Sequence, residues 1–326
     1  MMRILKHQQS ILKTMLHLLE KLPVELVGYN VLSFLTVNDI VMLERACGSK
    51  KSQNIFLGLI PYCPPLVLPS CNHTTALAWF AQRQCKIAAL TLFIPAGNHT
   101  CLRVKNLLVD YFNLEINYGF RMEYFAPWLN SSVGSKVRNI YITQFHHQNR
   151  EAMEQLSACT GNVTQLTISY SDNCMDWLTT DVLTKWKLKE VEIFGSDITP
   201  SLVATIAQTC TELTSIKLKS VSINDAAVID IAQHCPKLQS LLLETTNLTW
   251  TSLLALSERG LPLQKLHLSC IPSIPNADIT KRCSYVLSRI CYLSTYYLDR
   301  NRQDATMLIA YMTGLTRVCL RYSGEN

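Results

Sequence analysis

The sequence predicts an α/β solenoid, in which short parallel strands alternate with return helices. Between Val163 and Leu268 the pattern L-x-x-L-x-L occurs five times, and its first positions (163, 188, 213, 238 and 263) are each 25 residues apart. One strand and one helix cannot bury their own apolar side, so stacked neighbours must bury it jointly. The helical part of the unit is indicated by apolar pairs at helical spacing, namely Val203/Ile206, Val228/Ile231 and Leu253/Leu256.

Two stretches at the repeat boundaries add a family resemblance. Cys210-Thr211-Glu212-Leu213 and Cys235-Pro236-Lys237-Leu238, with Ile223-Asn224-Asp225 between them, resemble the cysteine-containing leucine-rich repeat of F-box proteins. The resemblance implies a right-handed, horseshoe-shaped leucine-rich-repeat solenoid with a parallel sheet. That family usually has Asn or Cys eight residues after the first Leu. We therefore predict a divergent member with a partly lost inter-repeat ladder, because these positions are Ser171, Ser196, Val221, Thr246 and Ile271.

The first 60 residues precede the repeats and are predicted to be helical. Residues 1–20 form an amphipathic arm whose apolar face is interrupted by Lys13 and His17, unlike a signal peptide. Residues 21–60 begin with Leu22-Pro23, where proline suits a first helical position. A turn then leads into a second helix that is predicted to leave Glu44 outside.

The order Leu-Pro-x-Glu-Leu, Leu-x-Phe-Leu, Asn-Asp-Ile and Ala-Cys in residues 22–47 resembles the F-box. In that family the segment docks on the small linker protein of a cullin ubiquitin ligase. The Trp that commonly follows the Cys is absent, and Gly48 stands there. The alternative is a helical cap that only shields the first repeat. By resemblance, the docking residues are Leu22, Pro23, Leu26, Leu32, Leu35 and Ile40.

Residues 61–326 are predicted to hold about ten repeats. A lead-in strand at Leu66-Val67-Leu68 is followed by weaker repeat starts at positions 87, 111 and 137, which keep nearly the same step. Downstream, Leu293/Tyr296/Leu298 and Leu315/Val318/Leu320 extend the pattern after steps of 30 and 22 residues. The long step contains the segment Ile271-Pro272-Ser273-Ile274-Pro275, which is typical of a loop insertion.

Composition limits the class of protein. With 17% charged and 48% hydrophobic residues the chain is predicted to be globular, and its net charge of +6 is scattered, which argues against nucleic acid as a partner. The 13 cysteines include no Cys-x-x-Cys, and Cys210 and Cys235 occupy equivalent repeat positions. Buried free thiols in a reducing compartment are therefore expected. No apolar run reaches the roughly 20 residues of a membrane span, so we expect a cytoplasmic or nuclear protein without membrane contacts.

Motifs for chemistry are scarce. The sequence contains no glycine-rich phosphate loop, no G-x-S-x-G and no H-E-x-x-H. Adjacent residues on a helix point about 100° apart, so His146 and His147 could not chelate a metal from one helical face. Asp172, Asp176 and Asp181 are spread as solvated surface residues would be. We expect no enzyme activity, no cofactor and no metal.

The remaining candidate site is the sheet surface, where alternate strand residues point away from the core. Aromatic residues amid mixed charge favour protein binding on this surface. The function implied by the resemblance is a substrate-recognition subunit of a cullin-type ubiquitin ligase, bound to the linker protein and to an unknown target protein. The alternatives are a repeat scaffold with no ubiquitin link and a secreted repeat receptor. The predicted target-binding residues are Phe93, Tyr141, Glu190, Glu192, Phe194, Lys217, Lys219, Lys265, His267 and Tyr297.

Overall fold

The computed structural model divides the chain into two compact units. One comprises Met1–Leu92 with His99–Phe112, and the other comprises Phe93–Asn98 with Asn113–Asn326. The predicted division at residues 20 and 60 stays a prediction. The residues that the structure describes are 14, 44, 47, 49–59, 66–68, 82–83, 86–94, 108–116, 129, 133–143, 150–169, 175, 177–195, 198–219, 223–244, 248–268, 277–295, 309–310 and 312–320.

The first unit contains helix α1 (Lys50–Leu59) and strand β1 (Leu66–Leu68), and strand β2 (Lys86–Ile94) begins in it. Strands β1 and β2 pair in parallel, with an irregularity between Leu66 and Val67. The lead-in strand expected at residues 66–68 is therefore confirmed. Phe56 of α1 and Leu90 of β2 are fully buried, as the apolar core of such a small unit requires.

Glu44 corrects one expectation in this unit. The sequence pattern predicts an outward side chain, but Glu44 is 8% exposed. Its Oε1 atom accepts a hydrogen bond of 3.0 Å from Nε of Arg83 and a further one from Nη2. A carboxylate is tolerated at a buried position only when it is paired, and the sequence pattern did not reveal the distant arginine that pairs with it.

The second unit is built on eight parallel strands that follow the sequence order. Each strand pairs with the next one, and every pair is parallel. Strand β3 (Leu108–Ile116) runs into this unit. The eight strands are β4 (Val137–Thr143), β5 (Gln165–Ser169), β6 (Glu190–Phe194), β7 (Ser215–Lys219), β8 (Ser240–Glu244), β9 (Lys265–Leu268), β10 (Tyr292–Thr295) and β11 (Arg317–Leu320).

Helices return the chain between these strands, which confirms the predicted α/β solenoid with a parallel sheet. The pairs Val203/Ile206, Val228/Ile231 and Leu253/Leu256 are buried, as their spacing predicts. Neighbouring helices pack side by side in sequence order. A short 3₁₀ helix (Gly134–Lys136) leads into β4, and the α-helices are α2 (Arg150–Cys159), α3 (Thr180–Leu183), α4 (Pro200–Thr209), α5 (Asp225–His234), α6 (Trp250–Glu258) and α7 (Ala277–Arg289).

On the side of the sheet that faces the helices, each strand contributes one apolar residue at each register position. Successive residues of a strand point to opposite faces, so the second and fourth residues of each five-residue strand face the helices. The residues at one such level pair across the strands in strict register, and each is at most 2% exposed. They are Leu166, Val191, Ile216, Leu241 and Leu266.

Repeats are also tied together by threonines just before the strands. Oγ1 of Thr164 donates to the carbonyl oxygen of Arg138 at 3.3 Å, and Oγ1 of Thr214 donates to that of Lys189 at 3.1 Å. Each hydroxyl donates to a carbonyl oxygen that also accepts from the backbone N–H of the same threonine, and the two bonds together help to fix the step between repeats. The five positions of the expected Asn or Cys ladder lie outside the described residues.

The helix ends show how the boundary motif works. Thr199 and Asn224 cap α4 and α5, each accepting a hydrogen bond from a backbone N–H of the first turn. Cys210 and Cys235 stand at the C-terminal ends of the same two helices, at 5% and 0% exposure. Burial raises the pKa of both thiols to about 12, and the six cysteines whose side chains the structure describes are all free. This confirms the expectation of buried thiols for Cys210 and Cys235.

The predicted phase of the repeat at β10 is wrong by three residues. Leu293 pairs with Leu266 and Val318 pairs with Leu293, so Leu293 is the middle residue of its pattern. The first position is Ile290, which is fully buried. The steps are therefore 27 and 25 residues instead of 30 and 22, as counted from positions 263, 290 and 315. Leu293, Tyr296 and Leu298 also fit the repeat pattern, so the sequence alone does not reveal that the pattern begins three residues earlier.

Candidate protein-binding face

The surface of the sheet opposite the helices is defined here as the sheet face. Because the strands pair in register, its side chains form rows across the strands, one residue per repeat. The first row is Asn139, Gln165, Glu190, Ser215, Ser240, Lys265, Tyr292 and Arg317. The second is Tyr141, Thr167, Glu192, Lys217, Leu242 and His267, and the third is Thr143, Ser169, Phe194, Lys219 and Glu244.

Five of the predicted target-binding residues come together on the neighbouring strands β6 and β7. Glu190 and Lys219 are exposed, while Glu192, Phe194 and Lys217 are half-buried. Phe194 is paired in register with Lys219, and Glu192 with Lys217. The partial exposure of the phenyl ring, next to long charged side chains, is typical of an apolar anchor on a protein-binding surface.

The charges on this part of the sheet face neutralise one another. Nζ of Lys217 lies 3.2 Å from Oε2 of Glu192, and Nζ of Lys219 lies 2.8 Å from Oε2 of Glu244. The sequence predicts an acidic strand beside a basic one, and the structure shows that β7 is joined by one ion pair to β6 and by another to β8. Glu190 and Lys265 make no ion pair with any described residue, so their charges are available to a partner.

The other predicted residues are not all exposed on the described part of the sheet face. Tyr141 is half-buried on β4, and Lys265 is exposed on β9. His267 lies in the second row of the sheet face, but it is only 7% exposed, so its imidazole offers a partner little surface. Phe93 belongs to β2, but its side chain lies outside the described residues, as does Tyr297. The six predicted docking residues also lie outside them: Leu22, Pro23, Leu26, Leu32, Leu35 and Ile40.

Sequence reasoning missed two residues of the sheet face. With the corrected phase, Tyr292 follows Lys265 and Arg317 follows Tyr292 in the first row. The guanidinium carbon of Arg317 lies 5.7 Å from the centroid of the Tyr292 ring, a cation–π contact. Counting 25 residues back from Leu315 gives Ile290 as the preceding repeat start, and this count would have placed Tyr292 on the face.

Two searches for other kinds of site gave negative results within the described part of the chain. It holds no group of three or more His, Cys, Asp or Glu side chains arranged to bind a metal ion. Its helices are all too short or too polar to span a membrane.

Comparison with known proteins leaves the family open. No family model matches the chain, and no curated protein matches it. Among solved structures, the crystal structure of the Rad7 and Elc1 complex in yeast contains a chain with 14% sequence identity and a TM-score of 0.38. The match covers 90% of this chain and 92% of that one. A likeness at this TM-score supports no conclusion about function.

Proposed function

We propose that this chain is a non-catalytic protein that binds a target protein on the sheet face. The observation that supports the proposal is the fixed set of rows on β4 to β11, in which each repeat contributes different side chains. A half-buried phenyl ring, two ion pairs and charges that form no ion pair with described residues lie on one sheet. Such a surface combines apolar anchoring with charge complementarity, and the latter governs specificity and association rate.

The finer proposal is that the chain is the substrate-recognition subunit of a cullin-type ubiquitin ligase. It rests on the resemblance of residues 22–47 to the F-box and on the position of this segment ahead of the repeats. Residues 22–47 would dock on the linker protein of the ligase, and the sheet face would hold the target. The subunit performs no chemical step itself, and raises the effective concentration of target lysines near the transferring enzyme.

The ligase part of the proposal is tested by a pull-down with the linker protein. The wild-type chain is expected to recover the linker, and the double variant Pro23→Ala/Leu26→Asp is expected to lose it. The double variant Phe194→Ala/Lys217→Glu serves as the matched control, because it changes the sheet face only and should recover as much linker as wild type. Equal background recovery by all three proteins rules out the ligase role.

The target-binding part is tested separately by affinity purification and mass spectrometry. Proteins that wild type enriches are expected to be depleted with Phe194→Ala/Lys217→Glu, while the melting temperature is nearly unchanged because neither side chain is in the core. If the linker is not recovered but face-dependent partners are, the chain is a repeat scaffold without a ubiquitin link. If the variant retains every partner, the sheet face is not the binding surface.

A further inference from the structure

The end of the sheet face formed by β9 to β11 differs electrostatically from its middle. In the middle, the carboxylates of Glu192 and Glu244 lie within ion-pair distance of Lys217 and Lys219. On β9 to β11 the described outward residues include no carboxylate, and the cations Lys265 and Arg317 make no ion pair with any described residue. Two exposed positive charges therefore stand at one end without a compensating carboxylate among the described residues.

Tyr292 lies between these two cations in the first row. It pairs with Lys265 on one side and with Arg317 on the other. Neighbouring strands are about 4.8 Å apart, so the two cationic residues are about 10 Å apart along the row. The guanidinium carbon of Arg317 lies 5.7 Å from the centroid of the Tyr292 ring, a cation–π contact. This contact does not consume the N–H donors of the guanidinium, so they can donate to a carboxylate.

We propose that Lys265, Tyr292 and Arg317 form a subsite for an acidic segment of the target protein. This inference deepens the proposed function and rests on it. Arg317 is suited to a bidentate contact with one carboxylate, Lys265 supplies a point charge for a second, and Tyr292 covers the apolar part of the segment between them. Unlike Lys217 and Lys219, these cations form no ion pair with the described residues, so binding an acidic segment breaks no ion pair there.

The spacing of the cations favours a carboxylate-bearing peptide over nucleic acid. Tight nucleic-acid binding requires many phosphate contacts along a basic stripe. The first row instead places the exposed carboxylate of Glu190 on β6, in the same row as Lys265. The carboxylate of Glu190 would repel a phosphate backbone that ran along the whole row. A short acidic segment bound at β9 to β11 would not reach Glu190.

The experiment is a selection of random 12-residue peptides displayed on phage against the full-length chain. Wild type is expected to select peptides enriched in Asp and Glu, and Lys265→Glu/Arg317→Glu is expected to lose that enrichment and to select Lys and Arg instead. Lys185→Glu/Lys281→Glu is the matched control, since both lysines are exposed, lie off the sheet face and give the same charge change. It should select acidic peptides as wild type does.

A second measurement uses one selected acidic peptide with a fluorescent label. The Lys265→Glu/Arg317→Glu variant is expected to bind it at least about tenfold more weakly than the control variant, and 0.5 M salt is expected to weaken wild-type binding. If peptides depend on Phe194 and Lys217 but are not acidic, the subsite is wrong and the proposed binding function stands. If no peptide depends on any residue of the sheet face, the proposed function itself fails. Preferential binding of a labelled 20-nucleotide single strand over the acidic peptide overturns the inference in favour of nucleic acid.

Discussion

Asp225 accepts hydrogen bonds from Thr249, so the first residue of one repeat's helix holds the start of the next repeat's helix. Its Oδ1 atom lies 2.8 Å from the backbone nitrogen of Thr249, and its Oδ2 atom lies 2.5 Å from Oγ1. The hydroxyl of Ser252 also donates to Oδ1. The Asn-Asp pair at the start of α5 therefore has two roles, since Asn224 caps its own helix and Asp225 braces the neighbouring one.

Replacement of Asp225 is expected to destabilise the array in a pH-dependent way. Asp225→Ala should lower the free energy of unfolding by about 2 kcal/mol at pH 7, because charged hydrogen bonds to Thr249 and Ser252 are lost. Burial opposes ionisation, but the bonds from Ser252 and Thr249 hold the pKa of Asp225 below 3.8. The stabilisation is thus present above pH 3.8 and is lost as the pH falls through the lowered pKa.

Urea unfolding at pH 7 and at pH 3 measures this difference. Asp230→Ala is the control, because Asp230 lies on the same helix and makes no ion pair or side-chain hydrogen bond with the described residues. If the free energies of unfolding of wild type and Asp225→Ala differ by the same amount at both pH values, the stabilisation does not come from the ionised Asp225 carboxylate.

The thiols of Cys210 and Cys235 are expected to resist alkylation in the folded protein. Burial raises their pKa from 9.0 to about 12, so little reactive thiolate forms at pH 8. Cys291, whose side chain is partly exposed, should react before Cys210 and Cys235. Labelling with iodoacetamide followed by peptide mass spectrometry, with and without denaturant, measures the order. Fast labelling of Cys235 in native conditions would show that the α5 end opens readily.

The same two thiols predict a loss of stability in alkali. Between pH 9 and 12 the folded chain keeps protons that the unfolded chain releases, so the free energy of unfolding falls as the pH rises. We expect about 1 kcal/mol per thiol for each pH unit above 9. The Cys210→Ala/Cys235→Ala variant should lose stability less steeply than wild type in denaturant titrations between pH 8 and 10. Parallel slopes would argue against the raised pKa values.

Gly134 is expected to be irreplaceable because two backbone oxygens occupy the position of a side chain. A Cβ atom there would lie 2.2 Å from the carbonyl oxygen of Cys159 and 2.4 Å from that of Leu129. Gly134→Ala should therefore cost about 2 to 3 kcal/mol. Gly161→Ala is the matched control, since its nearest atom would be the carbonyl oxygen of Lys185 at 3.5 Å. Thermal melting distinguishes them, and equal melting temperatures would refute the close approach.

The ion pair between Glu192 and Lys217 is expected to contribute little to stability. Its side chains are 23% and 41% exposed, so solvent screens the attraction. A double-mutant cycle with Glu192→Gln and Lys217→Met should give a coupling of about 0.5 kcal/mol that vanishes in 1 M salt. The pair of Glu212 and Lys237, at 59% and 56% exposure, is the control and should couple less. A coupling energy that stays the same in 1 M salt would show that solvent does not screen this ion pair.

The strands could be predicted from the sequence because their signal is periodic. The 25-residue step places each inward apolar residue of β5 to β9 at a buried position. Before β10 an insertion breaks the 25-residue step, and the leucine pattern can then be aligned with either Ile290 or Leu293 at its first position. The pairing of Leu293 with Leu266 in the structure shows that the first position is Ile290. Tyr292 was missed for this reason.

Side-chain pairings lie beyond what periodicity can supply. The burial of Glu44 depends on Arg83, which lies 39 positions away and belongs to no recurring pattern. The step does place Lys217 beside Glu192, but the bond between them depends on side-chain conformation. The burial of His267 likewise departs from simple alternation, since three consecutive residues of β9 are buried.

The strict register makes the length of the array an adjustable quantity. Excision of residues 215–239 would remove one whole unit and join Thr214 directly to Ser240, with the inward leucines still in phase. The surface would change although the core would not, because Glu192 would then stand beside Leu242 instead of Lys217. Gain or loss of a repeat therefore changes which side chains are neighbours on the sheet face. A different binding surface can arise in this way without any amino-acid substitution.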